Sequence, residues 1–152
     1  MNFNLKKIAL AFTLSTSFAA FAVTGTPITG QLQASYISVS GTTSLKGLAV
    51  LHANVSAAGS NPQSITNVAY SLVAYPYQGG TEYVQICYST PYSSTIGTCQ
   101  SVSPGSSGNI TVFNTLTFGQ GAEVWIRHTI TGGTFPAMAP TTKDSLTINW
   151  KY

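Results

Sequence analysis

Two histidines and three carboxylates are all that this 152-residue chain offers for acid–base or metal chemistry. They are His52, His128, Glu82, Glu123 and Asp144. A Ser-His-Asp arrangement would have to join His52 or His128 to Asp144, the one aspartate, and no G-x-S-x-G turn marks a nucleophile. Glycoside hydrolysis needs two carboxylates at a set separation. The available three each fall beside a strand end or on a phase expected to face solvent. Glu123 and Arg127 share one strand face, where a surface ion pair is the simpler expectation. A metal site fares no better. His52 and His128 lie in apolar phases on different segments, as core or edge histidines do, and no third ligand is assured. The sequence therefore points away from an enzyme, with no catalytic residue, no metal and no cofactor.

Charge removes a second group of functions. The segment 1–22 reads as a secretory signal peptide: Lys6 and Lys7 open it, an apolar run from Ile8 to Phe21 follows, and Ala20-Phe21-Ala22 supplies the cleavage pattern. Its apolar part, about 14 residues, falls short of the roughly 20 that span a bilayer. Cleavage there leaves 23–152 as a single domain. Four cations, Lys46, Arg127, Lys143 and Lys151, then stand against three carboxylates, so the +3 of the whole chain falls to +1. No basic cluster remains to follow a phosphate backbone, which excludes nucleic acid as a partner, and insertion in a membrane is not expected after cleavage. The expected location is periplasmic or secreted. Cys87 and Cys99 are the only cysteines, and an oxidising compartment favours a disulfide between them.

The elements that must carry these residues are strands. Period-two alternation recurs after residue 22, and no segment holds a 3.6-residue period. Thr29 to Ser40 alternates with a phase slip before Ile37. Leu45 to Val55 is a nearly continuous apolar run, expected as a central strand buried on both faces. Ile65 to Tyr75 alternates again. Glu82 to Ser103 reads as a hairpin with a long Ser/Thr-rich loop, stapled at Cys87 and Cys99. Ile110, Val112, Leu116 and Phe118 suggest another strand. Glu123 to Ile130 places Val124, Ile126, His128 and Ile130 on one face, and Leu146, Ile148, Trp150 and Tyr152 close the chain. About eight strands separated by Gly, Pro and Ser turns argue an all-β fold, an antiparallel β-sandwich or small barrel, with the sandwich preferred.

Tyrosine is concentrated around the hairpin. Tyr75, Tyr77, Tyr88, Tyr92 and Trp125 form the candidate contact surface, because such side chains give rigid contact area with a polar tip. Tyr92, at the tip of the stapled loop, is the leading contact residue. Asn54-Val-Ser and Asn109-Ile-Thr match the glycosylation sequon.

Several pieces together resemble the FlhE family of periplasmic proteins associated with bacterial flagella. The likeness begins at Gln33-Ala34-Ser35 and resumes at Val73-Ala74-Tyr75. It runs through the apolar stretch into Cys87, then Cys99, Val112-Phe113, Gly132-Gly133, Pro136-Ala137 and the closing Leu146-Thr-Ile-Asn-Trp-Lys. Order and spacing carry it, although the cysteine loop is longer here. The resemblance implies a small periplasmic β-domain without catalytic residues, with an accessory role in flagellar assembly, limiting proton leakage through the export apparatus and affecting swarming. A protein partner, flagellar or cell-surface, is thereby expected. Two other readings use the same pattern: a secreted adhesin or pilus-type subunit completed by strand addition, and a small outer-membrane barrel suggested by the aromatic C-terminal alternation.

Overall fold

The structure is a computed structural model that describes residues 22–76 and 79–152. The proposed signal peptide, apart from Ala22, and Tyr77 lie outside the described residues. Eight strands form two four-stranded antiparallel sheets. One sheet contains β1 (Ile28–Leu32), β3 (Ser64–Ser71), β6 (Ser107–Ile110) and β8 (Asp144–Lys151), in the order β1-β8-β3-β6. The other contains β2 (Thr43–Ala49), β4 (Thr81–Ser89), β5 (Cys99–Val102) and β7 (Glu123–Thr131), in the order β2-β7-β4-β5. Among the described residues the two sheets are not closed into a barrel, so the fold is a sandwich and the barrel reading is overturned.

Alternation builds the core. On β7, Val124, Ile126, His128 and Ile130 are buried, and on β8, Asp144, Leu146, Ile148 and Trp150 are buried. Val84, Ile86 and Tyr88 from β4 meet them, and Phe113 and Phe118 fill the adjoining end. A smaller cluster of Ala34, Ile37, Tyr75, Ile130 and Ala137 forms beyond it, with Phe135 packed alongside. It is closed by the Ile37–Ala137 bridge.

Three of the expected strands are corrected. Thr29 to Ser40 holds only β1, which ends at Leu32, and an isolated bridge at Ile37. β2 is an edge strand and ends at Ala49, and His52–Val55 forms a single helical turn, α1, followed by a 3₁₀ turn at Ser56–Ala58. The apolar run was continuous because a half-buried edge strand and a helical turn abut; Val50, just past β2, and Val55, in α1, are its buried apolar residues. Likewise β6 stops at Ile110, and a turn follows in which Phe113 is buried and Val112 is exposed. Phe113 breaks the assumed phase because the turn reverses which residue faces the core.

The N-terminal arm is part of the sandwich. Val23 and Tyr152 exchange backbone hydrogen bonds of 2.7 and 2.9 Å, and the Gly25 N–H donates to Trp150 at 3.0 Å. A Cβ at Gly25 would lie 2.1 Å from the Trp150 ring, so only glycine lets the arm cross there. The stapled hairpin is also present: Cys87 and Cys99 are direct partners on β4 and β5, joined by a disulfide across a Cα separation of 4.0 Å.

A buried carboxylate–imidazole–carboxylate cluster as the candidate functional site

The residues with acid–base potential divide into one buried cluster and two surface positions. His128 faces inward from β7 and donates both ring N–H groups to carboxylates. Its Nδ1 lies 2.7 Å from Glu82 Oε1, and its Nε2 lies 3.1 Å from Asp144 Oδ2. Glu82 comes from β4 in the same sheet, whereas Asp144 opens β8 in the opposite one, so the cluster ties the two sheets together. His128 is 1% exposed and Asp144 2%.

The second oxygens of both carboxylates hold the link from β3 to β4. The Val73 N–H donates to Asp144 Oδ1 at 2.8 Å, and the Tyr75 N–H donates to Glu82 Oε2 at 3.0 Å. The Tyr75 ring packs at a tilt on His128, with centroids 5.5 Å apart, and its hydroxyl donates to the Ser35 carbonyl. Ser44, the cross-strand partner of His128, is also buried, and its Oγ accepts the Ser35 N–H at 2.8 Å.

Electrostatics follow from this geometry. Burial by itself would lower the imidazole pKa, but hydrogen bonds and charge from Asp144 and Glu82 oppose it, and the net result is a rise to about 9. His128 is therefore an imidazolium at neutral pH, clamped between two anions. Burial, the largest influence, raises the Tyr75 hydroxyl, with the two carboxylates adding to the effect. Both phenols of the buried tyrosines stay neutral, since burial also drives Tyr88 upward.

The three side chains satisfy one another. With both ring nitrogens engaged by carboxylates, His128 makes no hydrogen bond to the Ser44 hydroxyl. Among the described residues no group of three His, Cys, Asp or Glu side chains is arranged to hold a metal ion. His52 is on the surface, with Nδ1 3.2 Å from Gln120 Oε1.

Placement of the carboxylates corrects the expectation of solvent-facing positions. Glu82 and Asp144 lie on the inward phases of their strands, Glu82 with Val84, Ile86 and Tyr88, and Asp144 with Leu146, Ile148 and Trp150. That shared parity with His128 on β7 was the signal in the sequence for the cluster. Glu123 does sit on an outward phase. Arg127 Nη1 reaches Gln85 Oε1 at 3.1 Å, and no ion pair joins it to Glu123 among the described residues. Glu123 instead lies over Gly47, where a Cβ would stand 2.1 Å from its Oε1, and partial burial raises its pKa.

The aromatic candidates separate sharply. Tyr75 and Tyr88 are buried and do not belong to a contact surface. Tyr88 points into the core on the same phase as Val84 and Ile86, stacks on Phe113 and donates to the Thr117 carbonyl at 2.7 Å. Trp125 is half-buried on the outer face, in one row with Cys99, Cys87 and Gly47, and its Nε1–H donates to Ser89 Oγ at 3.1 Å. Tyr92 is 77% exposed. Its φ of 59° is the one left-handed value at a non-glycine position among the described residues, and its N–H donates to the Gly121 carbonyl at 3.1 Å. A Cβ at Gly121 would lie 2.8 Å from the Tyr92 ring, so that glycine gives the ring its seat.

Fold and site define a disulfide-stapled, two-sheet antiparallel β-sandwich locked by an internal ion cluster. No protein-family model, curated protein or solved structure matches the chain.

Proposed function

We propose that this is a non-enzymatic accessory protein of the periplasm or secreted space that resembles FlhE and acts by protein–protein contact in flagellar assembly or export control. The observation that carries the contact reading is Tyr92. An aromatic side chain held out in solvent on a stapled loop, its backbone tied to Gly121, loses little freedom on binding and suits an interface anchor. The engagement of His128, Glu82 and Asp144 with one another supports a role other than catalysis. The disulfide is compatible with an oxidising compartment. Among the described residues no helix is long and apolar enough to cross a membrane. The flagellar assignment rests on the sequence resemblance.

Deletion of the gene should alter swarming, and the wild-type chain, but not Tyr92→Ala, should restore it. Unaltered swarming in the deletion strain would dismiss the flagellar role; full rescue by Tyr92→Ala would dismiss Tyr92 as the anchor. The alternative of a secreted adhesin or pilus-type subunit draws on the same exposed surface. Its strand-addition form is disfavoured because the N-terminal arm already pairs with β8. A purified chain that polymerises, rather than unfolding cooperatively as a monomer, would restore that alternative.

A further inference from the structure

β5 and β6 are the outer strands of the two sheets on one side and are joined by the turn at Pro104. A cleft of about 460 Å³ lies there, within the size range of small-ligand sites. Tyr70 and Val102 line it and pack against the main core behind. Gln100, Ser103, Asn109 and Thr111 contribute amides and hydroxyls, and among the described residues no charged side chain lines the cleft. Gly108 is the cross-strand partner of Tyr70, and a Cβ there would lie 2.9 Å from the Tyr70 hydroxyl. Glycine at that position lets Tyr70 lie across β6 at the cleft.

The flanking edges suit an added peptide strand poorly. β5 and β6 have four residues each. Gln100 Nε2 donates to its neighbour's carbonyl, that of Ser101, at 3.0 Å, and the Ser103 carbonyl accepts from both the N–H and the hydroxyl of Ser106. Edges this short and this engaged resist strand pairing. The lining also holds, among the described residues, no charge to neutralise a phosphate, a carboxylate or an amine. An aromatic ring beside amides and hydroxyls complements a compact, neutral molecule that has one apolar face and its own hydroxyl groups. A pyranose has that character: its C–H face packs on the ring, and its hydroxyls both donate to and accept from amides.

We propose that the cleft between β5 and β6 binds a neutral saccharide of one or two rings. The inference goes beyond the protein-contact reading and uses no residue of the Tyr92 loop, so either can fail alone. The test is amide-shift titration of the oxidised, isotope-labelled protein with glucose, galactose, mannose, N-acetylglucosamine and disaccharides of each. At least one should give saturable shifts at Tyr70, Gln100 to Ser103 and Asn109 to Thr111, with a Kd on the order of 1 mM or tighter. Gln100→Ala, at an exposed position, should weaken binding about tenfold without lowering the melting temperature, and Tyr70→Ala should weaken it further. Absence of saturable shifts with every sugar would overturn the proposal. So would saturable binding that both substitutions leave unchanged, or shifts at these residues only with an extended neutral peptide.

Discussion

At the scale of single residues, His128 governs the interior. Two anions hold it as a cation, and it in turn makes their burial tolerable. His128→Ala would leave Glu82 and Asp144 without their counter-charge, and loss of one member of a buried ionic group costs about 3–5 kcal/mol. Chemical denaturation of the variant should show that loss; a change below 1 kcal/mol would mean the cluster contributes little. Nitrogen NMR of the imidazole gives a direct view: both ring nitrogens should carry protons at pH 7.5 and titrate near pH 9. A ring that is neutral at pH 7.5 would contradict the clamp. The cluster was only partly legible in the sequence. His128 on an apolar phase was visible, as was the possibility of joining it to Asp144. Glu82 and Asp144 were assigned outward because each lies near a strand end, where charge ordinarily meets water. Their parity with Val84 and Leu146 held the opposite message, but parity within a strand does not reveal that a neighbouring strand supplies the counter-charge.

At the scale of elements, the stapled hairpin and the N-terminal arm make separate demands. The disulfide closes a short loop, and restriction of the unfolded chain should contribute about 3 kcal/mol. Reduction, or Cys87→Ala with Cys99→Ala, should lower the melting temperature by on the order of ten degrees in a domain of this size. An unchanged melting temperature would contradict a stabilising staple. In the arm, Gly25 lies against Trp150, which is 1% exposed and has little room to move. Gly25→Ala should cost about 1–3 kcal/mol by overpacking, measured by denaturant unfolding; a neutral result would show that the arm can lift off β8 freely. The hairpin and the closing strand could be read from alternation and turn residues, because the apolar side chains of each keep to one phase over most of its length. The Leu45 to Val55 run and the Ile110 to Phe118 run could not. In both, a strand passes into a turn whose own apolar residue faces the core, and hydrophobicity alone does not mark where the backbone changes direction.

At the scale of the molecule, the sheets are held by apolar packing over most of their area and, among the described residues, by one ionic tie where β7 meets β8. That tie has a defined pH signature. The pKa of His128 rises from an ordinary 6.5 to about 9 on folding, so protonation favours the folded state. The added stability is fully present below pH 6.5 and is lost as pH rises through about 9. The shift corresponds to about 3 kcal/mol between those limits. A pilus-type subunit, an adhesin and an FlhE-like accessory protein all need a durable exported scaffold, so stability alone does not choose among them. It does decide whether the ionisable cluster is a structural tie, which is the premise of the non-enzymatic reading. Denaturant unfolding of the oxidised protein from pH 6 to pH 9 tests that premise most directly. The wild-type chain should lose about 3 kcal/mol across this range and His128→Gln should give a nearly flat profile; a flat wild-type profile, or equal slopes in both proteins, would contradict the structural tie.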